Sequence, residues 1–327
     1  MVSPTTRQDL HSKIRMAVPD VTSSTGKLGL MVASWLESKW FPVAFQPIFN
    51  LASGRPLGFE VLGRIPDDLV AKGVPSSPAD LVELAHREGW LLQLEHAWRR
   101  SAIAIIGACA VDRRALFFFN VDSRILDDPR FRPGTTHALL TERGLPAHRF
   151  VFELTETRAL HDLPKVRAVL EHYGNQGFHI ALDDVGSGFA SLQALVNLRP
   201  GIVKLDQDIV RGVSVDSFRR ALLEAITGFC RKSRRALIAE GIETPDDLHV
   251  LLELGVPFGQ GYLLGKPVAL PRLEDRLLLE ADRCSTALER PGTRLPPCFD
   301  CQGIAWNPSV VPAVPFGTHA RRTRTAA

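Results

Sequence analysis

Asp183 and Asp184 stand side by side where a short apolar run, residues 178–182, stops, and Gly186 and Gly188 follow within a few residues. Two carboxylates this close repel, so one is held protonated or both share a cation. The glycines let the backbone turn sharply and approach a ligand. Asp, Ser and Gly equally favour a solvated turn, and this stretch alone leaves a cation site and a turn both open. Other apolar runs lead into residues of the same chemistry: Glu60, Asn120, Glu153 and Glu240. Six oxygen donors without thiolate or imidazole select Mg²⁺ or Mn²⁺ over zinc or copper. So many carboxylates on one site exceed the charge of one divalent ion, which points to two ions with Asp183–Asp184 bridging them. Two ions roughly 3.5–4 Å apart stabilise the attacking and leaving oxygens of a displacement at phosphorus. Lys204 lies inside the apolar run 202–205, where an unpaired ammonium is costly. Its partners are then the acids, a substrate phosphate, or Asp206 in a structural ion pair.

These residues need elements that bring them together. Residues 28–38 have helical spacing of apolar positions, and 41–49 and 57–62 read as strands joined by the turn residues 51–56. Strands linked so tightly pair antiparallel. Helical patterns occupy 79–88 and 91–110, after which apolar runs at 115–119, 150–152, 179–182, 201–205, 236–239 and 256–264 alternate with amphipathic stretches at 162–176, 189–198, 215–232 and 245–254. Strand–helix alternation predicts parallel strands with helical crossovers. About eight strands fit a closed (β/α)₈ barrel, with the site at the C-terminal strand ends. No G-x-G-x-x-G motif opens the first unit, which removes the usual support for a dinucleotide-binding sheet. The expectation is that the acids occupy the last residues of successive strands.

Composition narrows the classes. The chain has 327 residues, 45% apolar and 23% charged, with a net charge of +3, as in an ordinary soluble globular protein. That small charge gives no sign of a nucleic-acid polymer as partner. No apolar run approaches the roughly 18 residues of a membrane span, and the N-terminus has no signal-peptide core, so a cytoplasmic protein is expected. Residues 1–27 read as a disordered segment, 28–283 as the barrel, and 284–327 as a Pro/Arg-rich disordered tail. Cys109 and Cys230 sit in helical patterns as small hydrophobes. Cys298 and Cys301 form a lone C-x-x-C in the tail, with only Cys284 and the distant His319 as further ligands, too few for an expected zinc site.

Eight short motifs in order give the chain a resemblance. They are Phe45-Gln46-Pro47-Ile48, Glu60-Val61-Leu62-Gly63-Arg64, Phe119-Asn120-Val121, Glu153-Leu154-Thr155-Glu156, Asp183 to Gly188, Val203-Lys204-Leu205-Asp206, Ala239-Glu240-Gly241-Ile242-Glu243 and Gln260-Gly261-Tyr262. Over residues 28–283 the chain resembles the EAL family of cyclic di-GMP phosphodiesterases. The resemblance implies a barrel with an antiparallel first strand, and hydrolysis of cyclic di-GMP to linear 5′-pGpG. It implies Glu60, Asn120, Glu153 and Asp183 as ligands of one Mg²⁺ or Mn²⁺ ion. Asp183, Asp184 and Glu240 would serve the second. Glu240 is the implied general base, with Lys204 orienting or activating the attacking water and Gln260 positioning it; which of Glu240 and Lys204 takes the proton stays open. Gln46, Arg64 and Glu243 are implied in substrate binding, and Glu156 in anchoring the Asp183–Gly188 loop. A homodimer and an unidentified regulatory partner complete the picture.

The chain departs from the family pattern at Val61, at Gly63, where bulkier residues are common, and at Val185, where an aromatic is usual. Val61 is expected to face the barrel wall, and Val185 to loosen the loop. The 27 residues ahead of the barrel are too few for a sensor or cyclase domain, so a stand-alone member is expected. The alternatives are a catalytically silent cyclic di-GMP receptor, or another metal-dependent barrel such as an enolase-like lyase. The first would be marked by lost ligands, and the second leaves Arg64 and the Asp183–Asp184 loop without a role.

Overall fold

The computed structural model describes residues 31–32, 34–36, 41–109, 114–155, 162–187 and 191–269. The two terminal segments, Glu156, Gly188 and the Cys298–Cys301 pair therefore lie outside the described residues. Eight strands close into a barrel in sequence order. They are β1 (Val43–Asn50), β2 (Arg55–Gly63), β3 (Leu116–Asn120), β4 (Phe150–Thr155), β5 (His179–Val185), β6 (Ile202–Leu205), β7 (Ala236–Ala239) and β8 (Phe258–Gly259). β1 runs antiparallel to both neighbours, β2 and β8, and every other pair is parallel. The tight turn after Asn50 dictates that reversal: the Asn50 side chain accepts hydrogen bonds from both the amide and the hydroxyl of Ser53, at 3.0 Å each. The fold is the expected (β/α)₈ barrel with an antiparallel first strand.

The helices α1 (Pro78–Arg87), α2 (Leu91–Ala108), α3 (Thr135–Glu142), α4 (Leu163–Asn175), α5 (Ser191–Leu198), α6 (Ser217–Ser233) and α7 (Pro245–Glu253) pack outside. Ser77, Asp162, Asp216 and Thr244 cap α1, α4, α6 and α7 by accepting from backbone amides of the first turn, which satisfies donors the helix leaves unpaired. The apolar spacing anticipates all of these except α3. That helix opens on Thr135-Thr136-His137, poor helix formers, and follows Pro133-Gly134. Residues 256–264 form a shorter strand than expected. After Gly259 the chain folds under Ile242, whose amide donates to Gln260 O and whose carbonyl accepts from Leu263 N.

Alternation along each strand builds two cores. Outward residues such as Phe59, Val61, Phe117, Phe119, Phe152 and Val185 join the helices in a large cluster. Inward residues form a second cluster of Ile48, Leu57, Leu116, Phe118, Val151, Ala181, Ile202, Ala236, Ile238 and Phe258. Val61 thus faces the helices, as expected. Cys230 is buried in the outer cluster, and burial pushes its thiol up to about 11, so it packs as a hydrophobe. Among the described residues no helix is long and apolar enough to cross a membrane. Phe118 is fully buried inside the barrel; Phe118→Ala should cost about 3–5 kcal/mol, read as a lower urea midpoint with an unchanged m-value.

Candidate active site

The inward core continues upward as a polar layer. Two residues beyond each inward apolar side chain the same strand face carries a polar one: Asn120 after Phe118, Glu153 after Val151, Asp183 after Ala181, Lys204 after Ile202, Glu240 after Ile238 and Gln260 after Phe258. Gln46 and Glu60 complete the layer from β1 and β2, where they are register partners. Asn120 ends β3 and Glu240 directly follows β7, as expected, whereas Glu153 and Asp183 sit two residues inside their strands. Glu60 lies three residues inside β2, because a side chain reaches the barrel mouth from within only at an inward position.

Lys204 lies at the centre, 1% exposed. Its Nζ lies 2.8 Å from Glu153 Oε1, 2.8 Å from Glu240 Oε1, 3.0 Å from Asp183 Oδ1 and 3.6 Å from Glu60 Oε2. Asp206 is not its partner: that carboxylate accepts from Asp208 N at 2.7 Å and caps a helical turn. Gln260 Nε2 donates to Glu60 Oε2 at 2.7 Å and to Gln46 Oε1 at 3.0 Å, and Gln46 Nε2 donates to Gly265 O at 3.1 Å. Asn120 Nδ2 donates to Glu60 Oε1 at 3.0 Å, so its amide oxygen is the atom available to a cation.

Adjacent residues on a strand should face opposite sides, yet Asp183 and Asp184 both reach this layer. A β-bulge resolves the conflict. Leu182 pairs with Val203 and Val185 with Leu205, so Asp183 and Asp184 together face the single residue Lys204. Asp184 adopts a φ of 56°, a left-handed conformation uncommon outside glycine though less so for Asp. Carboxylate oxygens of Asp183, Asp184 and Glu240 consequently lie within 4.8 Å of one another. The bulge also returns Val185 to the outer face, where it is buried rather than loose, and its carbonyl accepts from Asp206 N at 3.1 Å. Gly186 follows with φ 105°, and a Cβ there would lie 2.0 Å from Ile209 Cδ1, so the turn requires glycine.

The electrostatics are those of too many acids around one ammonium. Burial, reinforced by neighbouring carboxylates, pushes Glu153 well above the usual carboxylate range, raises Asp183, lifts Glu240 to about 8 and lifts Asp184 to about 6. Burial acts upward on Glu60 too, but Lys204 and the hydrogen bonds from Gln260 and Asn120 hold it below its ordinary value. Burial opposes the Lys204 charge, and the four carboxylates overcome it and raise Lys204 well above an ordinary lysine. Apart from the Lys204 ion pairs, neither oxygen of buried Glu153 nor Oδ1 of Asp183 has a hydrogen-bond partner among the described residues. Buried, under-satisfied hard oxygens with surplus negative charge fit a divalent cation such as Mg²⁺ or Mn²⁺.

Two predicted substrate residues lie outside this network. Arg64 follows β2, half-buried; burial lowers its pKa, offset in part by Tyr262 and Glu60, and its Nη1 donates to Gly63 O at 2.9 Å. Glu243 is exposed and paired with Arg211. A supporting pair escapes the sequence reading. On α2, Glu95 and Arg99 are buried and ion-paired, and Glu95 Oε1 accepts from Asp122 N at 2.7 Å, two residues after Asn120. Two charges at i and i+4 on an otherwise apolar helix face were the available signal.

A family model described as the EAL domain matches residues 30–267. A cyclic di-GMP phosphodiesterase of Pseudomonas aeruginosa is 29% identical over 238 residues, spanning 72% of this chain and 40% of that relative. The structure of the PaMucR phosphodiesterase in complex with c-di-GMP superposes with a TM-score of 0.65 at 23% identity, covering 76% of this chain and 99% of that one. Klebsiella pneumoniae BlrP1, solved as a manganese/cy-diGMP complex, superposes at 0.59 with 23% identity over 71% of this chain and 57% of its own. At these identities the superpositions speak for the fold. The chain spans less than half the length of the curated relatives it matches.

The charge cluster generates its own test. Lys204→Met removes the only ammonium within 4 Å of Glu153 and Asp183 among the described residues. Metal-free, the variant should lose about 3–5 kcal/mol of stability, and saturating Mn²⁺ should restore part of it. Urea titrations in EDTA and in Mn²⁺ read both effects, and identical midpoints for variant and parent in EDTA would refute the role.

Proposed function

The chain belongs to the EAL domain family, and on that footing we propose that it is a metal-dependent phosphodiesterase converting cyclic di-GMP to linear 5′-pGpG. The observation that carries this reading is the complete polar layer around Lys204, in which every predicted ligand is present. Glu60, Asn120, Glu153 and Asp183 would hold one Mg²⁺ or Mn²⁺ ion, and Asp183, Asp184 and Glu240 a second. Such a pair supplies positive charge to the attacking and leaving oxygens at phosphorus.

This chain's residues do the rest. Arg64 holds a substrate phosphate, with Gln46 and Glu243 as further substrate contacts. Glu240 accepts one proton from the attacking water while Lys204, 2.8 Å away, compensates charge beside it. Gln260 orients the water and, through its bond to Glu60, that ligand. The water oxygen bonds to phosphorus, the P–O3′ bond breaks, and the 3′ oxygen leaves as a hydroxyl after taking up a proton. The ring opens to a linear dinucleotide with a 5′-phosphate.

The reading extends to residues 28–283 as the catalytic unit between terminal segments 1–27 and 284–327, to Glu156 as anchor of the bulge loop, and to a cytoplasmic homodimer answering to a regulatory partner. Protein incubated with cyclic di-GMP and Mn²⁺ or Mg²⁺ should yield pGpG, resolved by chromatography, and EDTA should stop it. Glu60→Ala should lower turnover at least about 100-fold. Binding that survives EDTA with no pGpG under either metal would instead mark a silent receptor.

A further inference from the structure

Gly63 and Trp98 fit as a notch and its filling. Gly63 ends β2, and the indole of Trp98 on α2 lies where its side chain would be. A Cβ built on Gly63 would fall 2.3 Å from Cε2 and 2.5 Å from Cδ2 of that ring, so only glycine admits the indole. Phe41 holds the ring from another side, edge to face at 6.4 Å. In this position the indole Nε1–H donates to the carbonyl oxygen of Arg64 at 3.1 Å. The amide of Arg64 in turn donates to Pro42 O at 2.8 Å. The backbone of Arg64 is thereby held on both sides, once by the chain before β1 and once by α2.

The consequence falls on the guanidinium. Arg64 stands immediately after its strand, where the sheet no longer fixes the peptide. Its side chain lines a cavity of about 450 Å³ together with Trp98, Asn120, Glu95 and Arg99. Glu95, which also lines that cavity, steadies the chain after Asn120. One turn of α2, carrying Glu95 and Trp98, so reaches the backbone next to two residues of the site.

We propose that Trp98, admitted by the notch at Gly63, is a positioning residue that aims Arg64 at the substrate phosphate. The proposal rests on the reading of Arg64 as the phosphate-binding residue. It does not make Trp98 a catalytic residue, since the indole acts through the Arg64 peptide.

Trp98→Phe keeps an aromatic ring in the notch and deletes the N–H. Losing one neutral hydrogen bond from a positioning element should raise KM for cyclic di-GMP about fivefold and leave kcat within about twofold. In an Arg64→Ala background the same substitution should change KM by less than about twofold, because the group it positions is gone. A merely structural role would lower stability and activity by the same factor in both backgrounds, and that result would overturn the proposal. So would an unchanged KM in the parent background. Gly63→Ala, which expels the indole from the opposite side, is the second variant and should raise KM by at least as much as Trp98→Phe. If the parent protein neither hydrolyses nor binds cyclic di-GMP, the proposed function itself fails. A parent that turns over with variants that do not shift KM defeats only the role of Trp98.

Discussion

A single buried ammonium organises the mouth of this barrel. Lys204 is fully enclosed and contacts four carboxylates drawn from β2, β4, β5 and the end of β7. Neither side of that arrangement is stable alone. An unpaired lysine inside a strand would be deprotonated, and the carboxylates without it would repel each other across the barrel. Burial, reinforced by the negative charge that one ammonium leaves over, holds Glu153, Asp183, Asp184 and Glu240 above their ordinary values. The site is therefore built with an electrostatic demand that a divalent cation meets.

The second constraint is local to β5. A regular strand would aim only one of Asp183 and Asp184 inward, and the two would never meet the same ion. The bulge opposite Lys204 removes that limit at the cost of a positive φ on Asp184. Strain of this kind, of order 1–3 kcal/mol per residue, persists when the surroundings fix the backbone. Here the Val185 carbonyl is bonded to Asp206 N, Gly186 N donates to Ser191 Oγ at 2.9 Å, and Ser187 N bonds back to Asp184 O. The same bulge delivers the Val185 side chain to the outer core.

Much of this was legible in the sequence because the barrel speaks in short periods. Apolar runs separated by helical stretches gave the architecture, and the Asp183–Asp184 pair with Lys204 pointed to the polar layer at the barrel mouth. What stayed hidden depends on register. Acids two or three residues inside a strand look, in one dimension, like acids that end it. A bulge leaves no mark in composition, so adjacent aspartates announce proximity without showing how both face one way. Glu243 sits in a strong motif, and the motif alone does not show that its carboxylate pairs with Arg211 at the surface. Gly63 read as a missing side chain, and only packing against Trp98 shows what occupies the space.

The alternation that builds the barrel also separates stability from chemistry along its axis. Below, inward Phe118, Val151, Ala181, Ile202, Ile238 and Phe258 form a dry layer. Two residues further along the same strands, every inward position is polar. Burying the lower layer contributes roughly 25 cal/mol for each Å² of apolar surface removed from water, independent of anything bound above it. The upper layer, taken alone, opposes folding through desolvation and like-charge repulsion. A barrel can carry such a layer only because the apolar one beneath it lies on the same rigid strands. That rigidity also fixes the spacing of the oxygen donors before any cation arrives, so little ordering is left to do when one binds.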